Sequence, residues 1–481
     1  MNTLEVVTLA AVATCVAAPL AGALALRFLG QRLDPRIASA AAIGLSFAAA
    51  VTVAVCWQWG GGRTLTYGSR LAGGDLVIID GLTALLLPYV ATVDMAIVLV
   101  APRRALATTG VWRLLVGASA SLAMMSTAHP WALVSLWAAT SLSTWLSIRG
   151  TLGGRATART YAVAMVAALV CMAAGTGMLV ADPPWLAGSG TLGTAGGWLV
   201  AVAVMIRKGI VPFHSWYPAL FCGGPLATAL VTTMPQVATY TAVRLLVGHA
   251  DGVAAELVVL SQAALVTAVY GAALAAVQRD ARSLLGMLAM SQSAMVMAGL
   301  AGTLPTELCG ALAIWISSGL SLTGIGLVVW SLESRAGRIR IDTLQGRFAD
   351  APMLAAFFLL FGLASLGFPG TLSFVADDLI ISGSLDERLP SGLLVIAATV
   401  FAGIAVMRGW FHLFGGPVTV DAPQHAILPR ERFALTTLVA ILFVLGLWPG
   451  PFVHALENVA ASLLLVRAPH PSVTLPAGNP P

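Results

Sequence analysis

Leu192 to Trp216 reads LGTAGGWLVAVAVMIRKGIVPFHSW. Up to Ile206 it is an apolar run of the kind that crosses a bilayer. It then ends in Arg207-Lys208, with Pro212 and His214 close behind. Two cations and a proline at the end of an apolar helix must face protein or water, because hydrocarbon satisfies neither charge nor freed backbone. The stretch therefore predicts a broken membrane helix, sheltered by a bundle that the rest of the chain must supply.

The composition supplies it. The chain has 481 residues, 58% hydrophobic and 9% charged, with mean hydropathy +0.91. Soluble domains carry about a quarter charged residues, so soluble, disordered and coiled-coil classes are excluded. A membrane helix uses about 20 apolar residues. Apolar runs lie at 4–29, 36–57, 76–101, 109–126, 130–148, 158–181, 192–212, 225–247, 253–278, 284–302, 307–332, 352–384, 391–412 and 433–457. The expected fold is an all-α polytopic membrane protein of about 14 transmembrane helices. It forms a single membrane domain over 1–466, and the Pro-rich 467–481 is expected to be a disordered tail. Glu5 with no basic stretch before it makes the first run a span rather than a signal peptide.

Arginines test the segment count. Loops after odd-numbered runs hold Arg27, Arg32, Arg36, Arg103, Arg104, Arg113, Arg149, Arg155, Arg159, Arg279, Arg282, Arg335, Arg338, Arg340, Arg347, Arg408, Arg430 and Arg432; loops after even-numbered runs hold Arg63, Arg70 and Arg388. The positive-inside rule then places the odd loops in the cytoplasm and both termini outside. The five cysteines stand apart and form no CxxC pair, so neither iron–sulfur clusters nor structural zinc is expected. No nucleotide-binding motif occurs, no solvated basic face suits nucleic acid, and no cofactor is expected.

The twelfth run is interrupted by Gly367-Phe368-Pro369-Gly370 and followed by Asp377-Asp378. It lies five helices after the seventh. Breaks at matching places in inverted repeats point to a transporter's binding region, so two inverted five-helix repeats are expected, with helices 7 and 12 broken. Intramembrane charge marks the candidates: Asp94, Arg207, Lys208, Arg244, Asp377 and Asp378, with His214 at the first break. For Asp94 an ion-pathway role and a structural ion pair are both open. Arg244, near a helix end, is expected to snorkel and anchor. Asp377 and Asp378 lie about 100° apart on a helix, so Asp377 is assigned to the pathway and Asp378 to a cap or a neighbouring arginine. Lys208 is the single lysine of the chain; it can release a proton, whereas Arg207 stays charged and is expected to hold an acid. Trp131, Trp137, Trp216 and Trp315 fit core or interface positions.

Four stretches resemble one known family in order. Asp80 to Leu85 (DGLTAL), Lys208 to Trp216 (KGIVPFHSW), Asp280 to Leu285 (DARSLL) with Ser291-Gln292, and Gly367 to Leu379 (GFPGTLSFVADDL) are similar to motifs of the antiporter-like subunits of complex I and of Mrp antiporters; Arg408 to Gly415 (RGWFHLFG) resembles the family's thirteenth helix. The resemblance implies fourteen helices, two of them broken, and proton movement through buried charges. It also marks departures. The family's fifth-helix glutamate falls at Ala138, and its seventh-helix lysine falls at Arg207, with Lys208 one position later. The eighth-helix ionisable position falls among Thr232, Thr233 and Pro235. The eleventh-helix histidines and lysine fall at Ile314, Ser318 and Leu322, and the twelfth-helix ionisable position at Asp377. A continuous proton wire is therefore interrupted in the middle.

The expected function is a membrane subunit of an ion-motive complex in a bacterial inner membrane. It conducts or gates protons, or exchanges Na+ for them, and is coupled to other membrane subunits or to a cytoplasmic partner. With no catalytic site in the chain, enzyme activity could belong only to the whole complex. The alternatives are the membrane subunit of an inorganic-carbon uptake complex and a scaffold that no longer moves ions; an organic-solute transporter fits the motifs poorly. The charged loop 333–350 is the expected docking site for a cytoplasmic partner.

Overall fold

The computed structural model describes residues 3–29, 32–68, 75–102, 110–151, 153–183, 190–247, 250–302, 304–417 and 426–467. The tail 468–481 and Arg70, Arg103 and Arg104 lie outside the described residues. In chain order the helices are α1 (Thr3–Leu29), α2 (Pro35–Trp59), α3 (Gly81–Val100), α4 (Val111–Met124), α5 (Pro130–Arg149), α6 (Arg155–Ala181), α7 (Thr191–Lys208), α8 (Trp216–Gly223), α9 (Leu226–Thr233), α10 (Val237–Leu245), α11 (Ala250–Ala275), α12 (Ala281–Leu300), α13 (Pro305–Ala336), α14 (Pro352–Ala364), α15 (Leu372–Glu387), α16 (Leu389–Phe414), α17 (Pro429–Leu447) and α18 (Gly450–Arg467). Between α2 and α3 a short antiparallel hairpin, unforeseen in the hydropathy, pairs β1 (Leu65–Tyr67) with β2 (Val77–Ile79).

Among the described residues nine helices are long and apolar enough to cross a membrane unbroken. The others are short or interrupted, and the interruptions matter. The seventh segment is α7 followed by α8, and the twelfth is α14 followed by α15, as the Pro and Gly signals predict. The eighth segment, expected as one helix, is also broken. It divides into α9 and α10 at Met234-Pro235-Gln236, where Gln236 turns left-handed at φ 51°. Proline cannot donate to the preceding turn, and the turn at Gln236 leaves the Met234 carbonyl outside the helix ladder, where it accepts from the Tyr89 hydroxyl at 2.6 Å. The last segment is corrected too. After α17 the chain bends by 81° into α18, because Trp448-Pro449-Gly450 cannot continue a helix; α18 packs Val459 against Gly81 across the helix ends.

The bundle is built around α13, whose residues from Glu307 to Leu332 are all buried. It crosses α15 through two glycines: a Cβ at Gly310 would meet the Ile380 backbone, and one at Gly383 the Glu307 backbone, 2.5 and 2.7 Å away. Without lipid-side hydrophobic drive, such close backbone approach is what holds membrane helices together.

The arginine loops gather at one end. Arg36 and Arg430 both donate to the Ala101 carbonyl, at 3.0 and 3.3 Å. Arg335 pairs with Glu431 at 2.5 Å, Arg338 with Asp280 at 2.8 Å, and Arg408 donates to the Gln278 carbonyl at 2.7 Å. Leu4, Gly60 and Gly81 lie at the opposite end. This segregation matches the arginine alternation in the sequence.

Candidate functional site

The end of α7 presents its two cations to different neighbours. Arg207 lies over the Trp137 ring, 4.5 Å from its centroid. Its Nη1 donates to the Trp137 carbonyl at 2.9 Å and to Ser141 Oγ at 2.8 Å, and its Nη2 to Thr140 Oγ1 at 2.6 Å. The acid expected beside Arg207 is absent among the described residues; α5 offers hydroxyls, a carbonyl and an indole face instead. Trp137 is thus a cation platform as well as a core residue. Lys208 is 2% exposed and donates from Nζ to Gln236 Oε1 at 2.7 Å and Thr239 Oγ1 at 2.6 Å. Both acceptors are neutral; Gln236 lies in the break between α9 and α10 that the sequence hid, and Thr239 in the first turn of α10. A lone glutamine after proline in an apolar run was the available signal.

Arg207 and Lys208 line one cavity of about 20 Å³, together with Tyr161, Tyr217, Thr232 and Gln236. That is room for about one water. The Tyr161 hydroxyl is buried and makes no well-formed hydrogen bond. Thr232 also lines a second cavity, of about 10 Å³, with Arg113, Ser143, Thr144, Ser147 and Thr228. The two hydroxyls Thr144 and Thr232 meet at 2.7 Å.

The other candidates stand apart from this pair. His214 stacks edge-on against Tyr270, 5.1 Å between centroids, with Nε2 3.4 Å from the tyrosine hydroxyl. Asp94 is buried in α3, and neither carboxylate oxygen has a partner among the described residues, so the structural ion pair weighed for it is not formed there. Asp377 is half-buried at the second break. Its Oδ2 lies 2.5 Å from where a Cβ would stand on Gly367, whose φ is 70°; glycine alone both adopts that backbone and leaves the carboxylate room. Asp378 points outward and is exposed. The cap or arginine expected for it is not present among the described residues. The positions where the family resemblance placed histidines and a lysine, Ile314, Ser318 and Leu322, are all buried in α13, and the hydroxyls beside them, Ser317, Ser321 and Thr323, bond to their own helix's carbonyls.

Two further acids escaped the sequence reading. Glu307, at the start of α13, is buried and accepts from Ser384 at 2.8 Å. Ser384 stands seven residues, or about two turns, beyond Asp377 on the same face of α15. Asp80 explains Arg244, which is no snorkelling anchor. Arg244 Nη1 and Nη2 reach Asp80 at 2.6 and 3.0 Å, and Asp80 caps α3 through the Thr83 amide at 2.9 Å. Burial would raise the Asp80 pKa, but the Arg244 charge and hydrogen bonds hold it below the ordinary carboxylate value. The pair therefore contributes stability above about pH 4, which is lost as pH falls through the lowered value. Arg244→Met leaves the partly buried Asp80 carboxylate uncompensated and should cost about 2–3 kcal/mol, below the range for a fully buried pair. The measurement is thermal unfolding in detergent at neutral pH. Adding Asp80→Asn should recover part of the loss, and a double variant no better than the single would show that the two side chains are uncoupled.

A profile of the family described as NADH:quinone oxidoreductase/Mrp antiporter, TM, matches residues 163–403. The chain belongs to that family. Among curated proteins it is 28% identical over 271 residues to NADH-quinone oxidoreductase subunit M of Pseudomonas aeruginosa, covering 54% of this chain and 52% of the relative. It is 24% identical over 265 residues to F(420)H(2) dehydrogenase subunit M of Methanosarcina mazei, covering 53% of each. The chain thus spans about half the length of the curated relatives it matches. Among solved structures, a chain of respiratory complex I from Thermus thermophilus superposes with a TM-score of 0.85 at 20% identity, covering 95% of this chain and 100% of that one. A chain of the Mrp complex from Dietzia sp. follows at 0.83 and 18%, covering 96% and 98%. These likenesses give the fold of the antiporter-like membrane subunits, and the broken seventh and twelfth segments sit within it.

Proposed function

We propose that this antiporter-like subunit conducts protons within a multi-subunit, ion-motive membrane complex, with Lys208 and Asp377 as exchanging groups at two broken helices. The observation that carries the reading is Lys208. The chain's single lysine is buried at a helix break and held only by the neutral oxygens of Gln236 and Thr239. Among the described residues no ion pair fixes its charge, so it is free to give up a proton. Asp94 and His214 are secondary members of the pathway. The relatives are named as subunits of NADH-quinone oxidoreductase and F(420)H(2) dehydrogenase, which supports coupling through partner subunits. Na+ as a counter-ion, a bacterial inner membrane and extracytoplasmic termini complete the reading. The inorganic-carbon alternative draws no support from these relatives. The test is proton flux after a pH jump in proteoliposomes of the purified complex; flux equal to that of empty liposomes would leave the scaffold reading standing.

The partner surface is narrower than the whole loop 333–350. Arg335 and Arg338 are engaged by Glu431 and Asp280, and Arg282 holds Glu333 at 2.6 Å. Reversing these charges would break the domain's own ion pairs. Arg340, though exposed, pairs with Asp342 at 2.6 Å, so Leu344 and Phe348, 56% and 52% exposed, are the groups left to a cytoplasmic partner. Leu344→Glu with Phe348→Glu should abolish recovery of that partner on pull-down while leaving the melting temperature unchanged. Full recovery would remove the loop from the interface.

A further inference from the structure

We propose that Arg207, Lys208 and Tyr161 form a binding site for one small monovalent anion, entered from the arginine-rich end of the bundle. The proposal stands apart from proton conduction, since it concerns what balances two buried cations rather than what moves through them.

Arg207 and Lys208 are adjacent, 5% and 2% exposed, and among the described residues every acceptor on them is neutral. An uncompensated buried charge is strongly unfavourable. Lysine can escape by losing its proton, but arginine cannot, so at least one positive charge persists here. No carboxylate lines the cavity; its titratable and charged walls are Tyr161, Tyr217, Arg207 and Lys208.

Hydrogen-bonding capacity points the same way. The ammonium carries three N–H donors and uses two, and the Tyr161 hydroxyl, although the Ser141 and Thr144 hydroxyls lie near it, makes no well-formed hydrogen bond. The acceptors nearby are already engaged, since Gln236 Oε1 takes bonds from Lys208 and from Thr239. What remains unsatisfied around the cavity is donor capacity. A water would satisfy the donors and leave the charge; an anion satisfies both. The volume of about 20 Å³ limits it to a species near the size of a water, which among common anions fits a single-atom halide such as chloride.

The neighbouring cavity, which shares Thr232 and Val237 with the first, marks the approach. Ser143, Thr144, Ser147, Thr228 and Thr232 line it with hydroxyls, and Arg113 lines it from the start of α4, at the end of the bundle that carries the arginine loops. The Thr228 hydroxyl is likewise buried without a partner. Hydroxyls along the walls and a cation at the mouth raise the local concentration of anions over cations.

Thermal unfolding of the purified full chain in detergent tests this without any flux measurement, so it can fail while proton conduction stands, and the reverse. At fixed pH and ionic strength, gluconate is replaced stepwise by chloride. The wild type should become more stable with the logarithm of the small anion's concentration. Tyr161→Phe, which removes one donor and no charge, should shift that dependence to at least several-fold higher concentration. Arg207→Gln should abolish it, and the surface variant Arg340→Gln should leave it intact. Equal melting in gluconate and chloride would overturn the proposal. So would wild-type anion dependence in both Tyr161→Phe and Arg207→Gln, which would place the effect on surface arginines. Should Arg207→Gln fail to fold, Tyr161→Phe decides alone.

Discussion

Proteoliposomes carrying Asp377→Asn are expected to move protons at least about a hundred-fold more slowly than wild type, the range lost when a positioned acid–base group is removed. Asp378→Asn should change flux little and at most lower yield. The contrast follows from one helix turn. Asp377 is half-buried at the break and its carboxylate covers Gly367, whereas Asp378 is exposed. Ser384 continues from Asp377 along the same face of α15 and donates to Glu307 of the adjoining α13 at 2.8 Å. An independent perturbation should reproduce the loss with the acid still present: Gly367→Ala puts a Cβ 2.5 Å from Asp377 Oδ2 and strains a backbone at φ 70°. Loss of flux in Asp378→Asn but not in Asp377→Asn would mean that the outward face carries the proton.

What was legible in the sequence was what polarity and backbone chemistry write locally. Arg207-Lys208 before Pro212, and two glycines flanking Pro369, announced breaks because no apolar helix tolerates them. The third break was silent. Pro235 and Gln236 sit in a run that stays apolar, and a membrane helix often absorbs a single proline. The bend after Leu447 was hidden for the same reason, since hydropathy continues past Pro449. Pairings across the bundle left no trace at all. Asp80 and Arg244 are 164 residues apart, so their ion pair could not be seen from either segment. The loop 333–350 looked free for a partner only because Asp280 and Glu431, which engage its arginines, lie in other parts of the chain. The family resemblance marked Ala138 as a lost glutamate, but only the packing of Arg207 on Trp137 shows what α5 offers instead.

Lys208→Gln should reduce proton flux by at least about a hundred-fold in a protein that still folds. Glutamine preserves much of the side chain's reach and its hydrogen bonding toward Gln236 and Thr239, while removing the titratable nitrogen. Lys208→Arg should fail equally, because a guanidinium keeps its proton; here the larger head must also enter a cavity of about 20 Å³, so the glutamine variant is the cleaner one. Arg207→Gln forms the counterpart. Arg207 cannot exchange a proton, and its hydroxyl and carbonyl partners on α5 shape the field around Lys208 without carrying charge away. That variant should keep measurable flux with an altered pH profile, because a fixed positive charge beside the lysine disfavours the lysine's charged form. The two cations are one residue apart, yet only one should prove indispensable to proton movement. Wild-type flux in Lys208→Gln would take the lysine out of the pathway and leave it a structural clamp on the α9–α10 break.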